Sequence, residues 1–373
     1  MSIPVALPGP RLDEIGEVYR GRSVLITGHT GFKGGWLASW LAELGAKVTG
    51  YALPPPTRPS LFDALGLHRR VRHVEGDVRD FASLRAIWHA CRPEVVFHLA
   101  AQAIVSRSFA VPLETVSTNV LGTTHVMELA RQSTWPISIV CVTSDKCYEN
   151  VESVYGYRET DRLGGDDVYS GSKAAAEMII HSYRRSFFTA LECPGVASAR
   201  AGNVIGGGDW SPDRLVPDCV RALAAAKPIV LRHPAAVRPW QHVLEALSGY
   251  LTLGAGLQRR DQESMSVRTA WNFGPAADNI ANVDHVVAAL VRCWGGGDVQ
   301  VAPGPQLPET TLLRLSIDKA QALLPWRPRW RLAETVEHTV EWYRAYYAGE
   351  DMTEHTIAQI SAYAGRKEHV GAA

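Results

Sequence analysis

The 373-residue sequence predicts an α/β fold: a doubly wound, mostly parallel sheet with helices on both faces and a smaller second lobe. Three observations predict it. A short β-rich run, Ser23 to Thr27 (SVLIT), enters a glycine turn, GHTGFKG, and then the helical run WLASWLAELG. Further short apolar strands alternate with helical patterns as far as a fifth strand, ISIVCVTS. That strand ends in Ser144, followed by Asp145 and Lys146, and later by Tyr169 and Lys173, spaced i, i+4.

Each element has a physical reason. SVLIT is a continuous apolar run, as expected of a strand buried on both faces. Gly28, Gly31 and Gly34 let the backbone approach a pyrophosphate, and the following helix N-terminus supplies free N–H groups. The turn, with Thr30, Phe32 and Lys33 among its glycines, is a candidate dinucleotide site and makes the fold Rossmann-like. The second strand, Lys47 to Leu53 (KVTGYAL), lacks the acid that often holds an adenosine ribose; Gly50, Tyr51 and Ala52 stand there instead, with Arg58 nearby. EGDVRD follows a third strand. Asp77, next to Val78, suits an adenine amino group and equally suits the N-cap of the helix FASLRAIWHAC.

Val95 to Ala101 (VVFHLAA) reads as a fourth strand that brings Leu99, Ala100 and Ala101 to the carboxyl edge, where such folds bind ligands. A long helical pattern, Leu113 to Arg131, contains Asn119. It is either a tolerated polar residue or an interruption of the helix that fixes the site. The polar stretch GGDD starts the helix bearing Tyr169 and Lys173. Their spacing puts both side chains on one face, one turn apart. An ammonium beside a phenol favours the phenolate, so Lys173 is expected to lower the Tyr169 pKa. Such a tyrosine takes a proton from a sugar hydroxyl while hydride leaves the same carbon. Ser144 is expected to bond the phenol oxygen or the substrate hydroxyl. Tyr-x-x-x-Lys is also a common surface pairing. The glycine turn and the chain order favour the chemical reading.

Composition narrows the classes. Apolar residues make up 46% of the chain, enough for a large core, and the formal net charge is zero. That argues against nucleic acid as the main partner. No apolar stretch is long enough for a membrane span, and the N-terminal stretch does not read as a signal peptide. A cytoplasmic location is expected. Six scattered cysteines, with no C-x-x-C pair, read as reduced thiols without a metal site. Cys147, beside the candidate site, reads as a small packing residue.

The second half changes texture. ARAGNVIGGGDW is a glycine-rich loop after a strand, suited to ligand contact. HPAAVRPWQHV places Arg238 beside Trp240 and His242. An arginine there can hold a diphosphate bidentately or simply face solvent. Asp318 to Tyr343 reads as helix, Pro/Trp turn and amphipathic helix. The two tails are the expected sites of mobility.

These residues together resemble the extended short-chain dehydrogenase/reductases, specifically the nucleotide-sugar 4,6-dehydratases. TGHTGFKG, HLAA, NVLGT, TSDKCYEN, YSGSK, RAGNVIGGGDW, RPWQHV and the closing WRPRWRL pattern carry the resemblance over nearly the whole chain. TSDKCYEN and GHTGFKGGWL are most similar to the branch acting on CDP-glucose. The resemblance implies NAD, regenerated in each turnover, and a homodimer or higher homo-oligomer. The Leu113–Arg131 helix and the Tyr169 helix would pair across that dimer. It implies that Tyr169, Ser144 and Lys173 oxidise carbon 4, and that Asp145 is the acid that expels the 6-hydroxyl. Lys146 stands where related enzymes carry a glutamate and inherits the role of base at carbon 5. For that its pKa must fall from about 10.4 to about 7. Otherwise it stabilises an enolate while another group moves the proton. Asp145 argues against a simple 4-epimerase, and the retained Ser144, Tyr169 and Lys173 argue against a non-catalytic redox sensor. The resemblance further implies cofactor contacts from Asn119 and substrate contacts from Gln102, Asn203, Arg214, Leu215, Arg238 and His242. The expected division places residues 1–198 and about 238–275 in the cofactor domain, and about 199–237 with 276–373 in the substrate lobe.

Overall fold

The computed structural model describes residues 12, 14–276, 279–302 and 313–365. The extreme tails lie outside these described residues. Seven parallel strands form the central sheet. They are β1 (Ser23–Thr27), β2 (Lys47–Ala52), β3 (Arg72–Glu75), β4 (Val95–His98), β5 (Ser138–Val142), β6 (Gly195–Ala201) and β7 (Ala270–Phe273). Their spatial order is 3-2-1-4-5-6-7, every neighbouring pair parallel. The order reverses between β1 and β4, which opens a crevice at their carboxyl ends.

The central strands are buried on both faces, as their unbroken apolar runs require. β4 ends at His98, so Leu99 to Ala101 form the edge loop rather than more strand. One large core runs from the sheet through the helix Val243–Gln258 to the C-terminal helices Leu332–Ala348 and Met352–Ala364. Short strand pairs carry the chain between sheet and lobe: Val204–Ile205 with Gln241–His242, Val237–Pro239 with Ile280–Asn282, and Ile229–Leu231 with Val299–Val301. The last helix returns to the glycine-turn helix Phe32–Glu43, with Tyr363 edge-on to Trp40 at 5.9 Å.

A buried ion pair lies under the carboxyl edge. Arg200 of β6 donates from Nη2 to Glu177 Oε2 at 2.7 Å, and both side chains are buried. Glu177 belongs to the Tyr169 helix, Val168–Phe187, one turn after Lys173. Its carboxylate also accepts from Thr143 Oγ1 at 2.5 Å and Ser198 Oγ at 2.9 Å. The other arm of Arg200 donates to the Tyr148 hydroxyl at 2.7 Å, which donates to Asn272 Oδ1 at 2.8 Å. Asn272 in turn donates to the carbonyls of Tyr157 and Ser316. The network thus joins β6, β7, the Tyr169 helix and the turn after β5.

Burial pushes the Glu177 pKa up, but Arg200 and the hydroxyl donors outweigh it and hold the carboxyl below the ordinary glutamate range. A lowered folded pKa stabilises the fold above the unfolded value, and this is lost as pH falls through the folded one. Removing one partner strands the other. Arg200→Leu is expected to lower stability by roughly 3–5 kcal/mol in urea denaturation, and adding Glu177→Leu should restore most of it. A double variant no more stable than the single one would show that the pair's charges are not what the site rests on.

Candidate active site

The glycine turn is built for close approach. A side chain at Gly34 would place its Cβ 2.1 Å from the Gly28 carbonyl oxygen. Gly28 has φ +81°, and a Cβ there would sit 2.7 Å from the Ala100 amide nitrogen. The turn therefore lies directly against Leu99 and Ala100, and no larger residue fits either place. Thr30 gives its hydroxyl to the Leu53 carbonyl at 2.9 Å, which ties the turn to the end of β2. Phe32 stands over the glycine loop after β6, its ring 3.3 Å from where a Gly206 Cβ would be. Lys33 lies within the field of the catalytic candidates. Burial pushes its pKa down to about 8, helped by Arg214 and Lys173 and opposed by Asp145.

β5 ends at Val142, and Ser144, two residues on, caps a one-turn 3-10 helix, Asp145–Cys147, by accepting the Lys146 amide at 3.2 Å. Its hydroxyl donates to Asp145 Oδ1 at 3.0 Å. Burial raises the Asp145 pKa above the ordinary aspartate value, against the pull of Lys146, Ser144 and Lys33. The Asp145 carboxylate faces Gly202, where an added Cβ would sit 3.0 Å from Oδ2. Lys146 is half-buried on the same turn. Cys147 is fully buried and packs with Tyr148, Tyr157 and Leu313, as expected of a packing thiol.

Tyr169 and Lys173 are both buried on one helix whose N-cap is Asp167, in the GGDD stretch. The expected effect of Lys173 on the phenol is corrected. Burial pushes the Tyr169 pKa up to about 12, with the Ser144 hydrogen bond and Arg214 pulling down and Asp145 pushing up. Lys173 is itself pushed down to about 8 by burial. Desolvation is the largest influence on both groups, and it moves each toward its neutral form. Ser144 stands between two acceptors, the Tyr169 phenol and the Asp145 carboxyl, with one hydroxyl hydrogen to give.

Asn119 does interrupt its helix. Pro112–Val116 leads into a π-helical turn, Ser117–Leu121, and then Gly122–Gln132. The Asn119 amide donates to the Gln102 carbonyl at 3.1 Å and Ser172 Oγ at 2.9 Å, and it accepts the Gln102 amide at 2.9 Å. Both amide hydrogens are spent on the protein, so Asn119 braces the edge loop against the Tyr169 helix. Gln102 turns inward: its side chain bonds Ile104 and Thr115, which leaves no free end for a substrate.

The N-cap of Phe81–Cys91 is Asp80, not Asp77. Asp77 is half-buried and binds Arg79 through backbone and guanidinium. Burial opposes these bonds, but they prevail and lower its pKa. Val78 is buried against Gly122, and its carbonyl accepts from His125 at 2.8 Å.

In the lobe, Asn203 is exposed on the loop after β6. Arg214 precedes Leu215, the first residue of the helix Leu215–Ala224, and pairs with the buried Asp209 at 2.7 Å. Its charge pulls the Tyr169 and Lys33 pKa values down. Arg238 lies half-buried on the short strand Val237–Pro239. His242 is corrected: it is fully buried between Trp36 and Trp330 and caps the helix Val243–Gln258 through Nδ1. Its ring serves that junction, not a substrate subsite. Arg200, Glu177, Tyr148, His98 and Thr123 were missed as site supports. HLAA, NVLGT, TSDKCYEN and RAGNVIGGGDW contain four of them, but no periodicity distinguishes a buried polar bridge from a tolerated one.

A family model described as GDP-mannose 4,6 dehydratase matches residues 25–339. The chain is 45% identical over 350 residues to a CDP-glucose 4,6-dehydratase of Salmonella typhimurium (strain LT2), covering 92% of this chain and 97% of that one. It is 26% identical to a UDP-glucose 4-epimerase of Mycolicibacterium smegmatis, over 86% and 98% of the two chains. Among solved structures, DesIV, a dTDP-glucose 4,6-dehydratase of Streptomyces venezuelae, superposes with a TM-score of 0.73 at 22% identity, covering 88% and 99%. A match spanning the glycine turn, the Ser144 turn, the Tyr169 helix and most of the lobe leaves one assignment: the chain belongs to the GDP-mannose 4,6-dehydratase family.

Proposed function

We propose that this protein converts CDP-glucose to CDP-4-keto-6-deoxyglucose and water, with NAD as a cofactor that is reduced and reoxidised within each turnover. The observation that carries the reading is the Asp145 carboxyl, buried beside Ser144 and Tyr169 and raised toward its acid form. An acid held in reserve at that place serves elimination. The relative 45% identical to this chain supports CDP-glucose as the substrate.

The cradle of Gly28 and Gly34, which a Cβ would fill, suits a dinucleotide pyrophosphate. NAD bound there supplies the acceptor and later donor of hydride and, when oxidised, a positive charge. As the phenolate, the form that the positive charge of oxidised NAD would favour, Tyr169 takes the proton of the 4-hydroxyl as carbon 4 is oxidised. The new ketone acidifies the proton on carbon 5, and Lys146, as the free amine, takes it. Asp145 gives its proton to the 6-hydroxyl, and water leaves. Carbon 6 then receives hydride, and the proton held by Lys146 returns to carbon 5. Tyr169 ends with one proton too many and Asp145 with one too few. Ser144, bonded to both, is the path by which the first resets the second. Arg214, with Asn203 and Arg238, holds the substrate in the cleft.

We place the enzyme in the cytoplasm and as a homodimer. No helix among the described residues is long and apolar enough to cross a membrane. The segments Val105–Ala110 and Pro112–Gln132 pack beside the Tyr169 helix and leave a broad apolar face. Leu113 is 85% and Phe109 70% exposed, and Leu121, Met178 and Phe187 are exposed further along the two helical segments. An apolar face of this kind marks an interface.

Purified protein given CDP-glucose and NAD should form a 4-keto-6-deoxy sugar, read by its alkaline absorbance. Product from dTDP-, UDP- or GDP-sugars in preference to CDP-glucose would overturn the substrate. Asp145→Asn should slow turnover by roughly 10²–10⁴-fold while NAD reduction on substrate binding persists. Lys146→Met should abolish solvent deuterium exchange at carbon 5; unchanged exchange removes Lys146 from the role of base. Leu113→Asp should halve the mass seen in light scattering, and an unaltered mass would place the interface elsewhere.

A further inference from the structure

We propose that His98 is a positioning residue: a neutral imidazole, held as the Nε2–H tautomer, that bridges the glycine turn to the Tyr169 helix. His98 ends β4 and is buried, and the chemistry above gives it no proton to move. Its ring stands between two threonines on different elements. Nδ1 lies 2.7 Å from Thr27 Oγ1 on β1, and Nε2 lies 3.1 Å from Thr123 Oγ1 on the helix Gly122–Gln132.

The proton positions follow from the neighbours. Thr123 donates its only hydroxyl hydrogen to the Asn119 carbonyl at 2.7 Å, so it accepts from His98, and Nε2 carries the proton. Burial, with Lys173 adding repulsion, pushes the imidazole pKa down to about 3, so Nδ1 is bare and accepts from Thr27. Thr27 Oγ1 accepts the Ala100 amide at 3.2 Å. A directed chain results: Ala100 amide to Thr27, Thr27 to His98, His98 to Thr123, Thr123 to the Asn119 carbonyl. From Asn119 the side-chain amide continues to Ser172, and Ser172 donates to the Tyr169 carbonyl at 2.7 Å. The chain therefore joins the residue before Gly28, the edge loop that Gly28 touches, the π-turn and the catalytic tyrosine's own backbone. Its members set the distance between the cofactor cradle and the phenol. Hydride transfer is steep in that distance, so a bridge of neutral, fully used hydrogen bonds matters to rate more than to binding.

The first readout needs no substrate, which keeps it separate from the proposed reaction. In protein labelled with ¹⁵N-histidine and holding NAD, the resonances lost in His98→Gln should show a protonated Nε2 and a bare Nδ1. An Nδ1–H tautomer or an imidazolium at neutral pH would overturn the proposal. The second readout is kinetic. Thr123→Val keeps the shape and removes the bond, so kcat for CDP-glucose should fall about tenfold with KM within twofold, and Thr123→Ser should restore it. Thr123→Val with unchanged kcat, or Thr123→Ser as slow as Thr123→Val, would also overturn it. Failure of CDP-glucose as substrate alongside the expected tautomer would sink the reaction and leave the bridge standing.

Discussion

Everything at the carboxyl edge hangs on the buried contact between Arg200 and Glu177. Two charges out of water are costly unless they are paired and hydrogen-bonded. Here Glu177 has the guanidinium and two hydroxyl donors, and Arg200 has the carboxylate and the Tyr148 hydroxyl. The Arg200 guanidinium also lies 4.9 Å over the Tyr148 ring. Because the bonds run from β6 and the Tyr169 helix to the segment after β5 and, through Tyr148, to β7, the pair ties four parts of the fold together. Lys173 sits one turn before Glu177, and the Ser144 turn ends at Tyr148. The catalytic candidates are therefore anchored from below at both ends of the constellation.

Above that anchor, burial sets the chemistry. It raises Asp145 and Tyr169 and lowers Lys33 and Lys173, so each group is moved toward its neutral form. A site biased in this way answers strongly to any charge brought into it, since desolvated groups feel a new neighbour at low dielectric. An oxidised dinucleotide is such a charge. The same bias explains why a neutral histidine, rather than a lysine or an acid, can stand beneath Lys173 as a spacer.

The glycine turn and the edge loop show a different constraint, one of space alone. Gly28 against Ala100, and Gly34 against the Gly28 carbonyl, leave no room for a methyl group. The cradle is thus closed on the protein side by backbone and open only toward a ligand. The loop after β6 repeats the device where Gly202 meets Asp145, so the acid sits hard against main chain.

By itself the sequence determined the strand–turn–helix start, the parallel sheet, the helix start in GGDD and the i, i+4 spacing of Tyr169 and Lys173. These are local facts: apolar runs, glycine spacing and a helical repeat decide them. The residues left open whether Asn119 is tolerated in its helix or interrupts it, and its bonds to Gln102 and Ser172 decide for the interruption. Only the tertiary structure decided which way each pKa moves, since burial comes from residues far apart in the chain. It gave the helix cap to Asp80 rather than Asp77, withdrew His242 and Gln102 into the fold, and paired Arg214 with the buried Asp209. Arg200, Glu177 and His98 read as ordinary polar residues until β4, β6, β7 and two helices come together. The reason is that a buried polar group is satisfied by partners on other elements, and no local pattern records who those partners are.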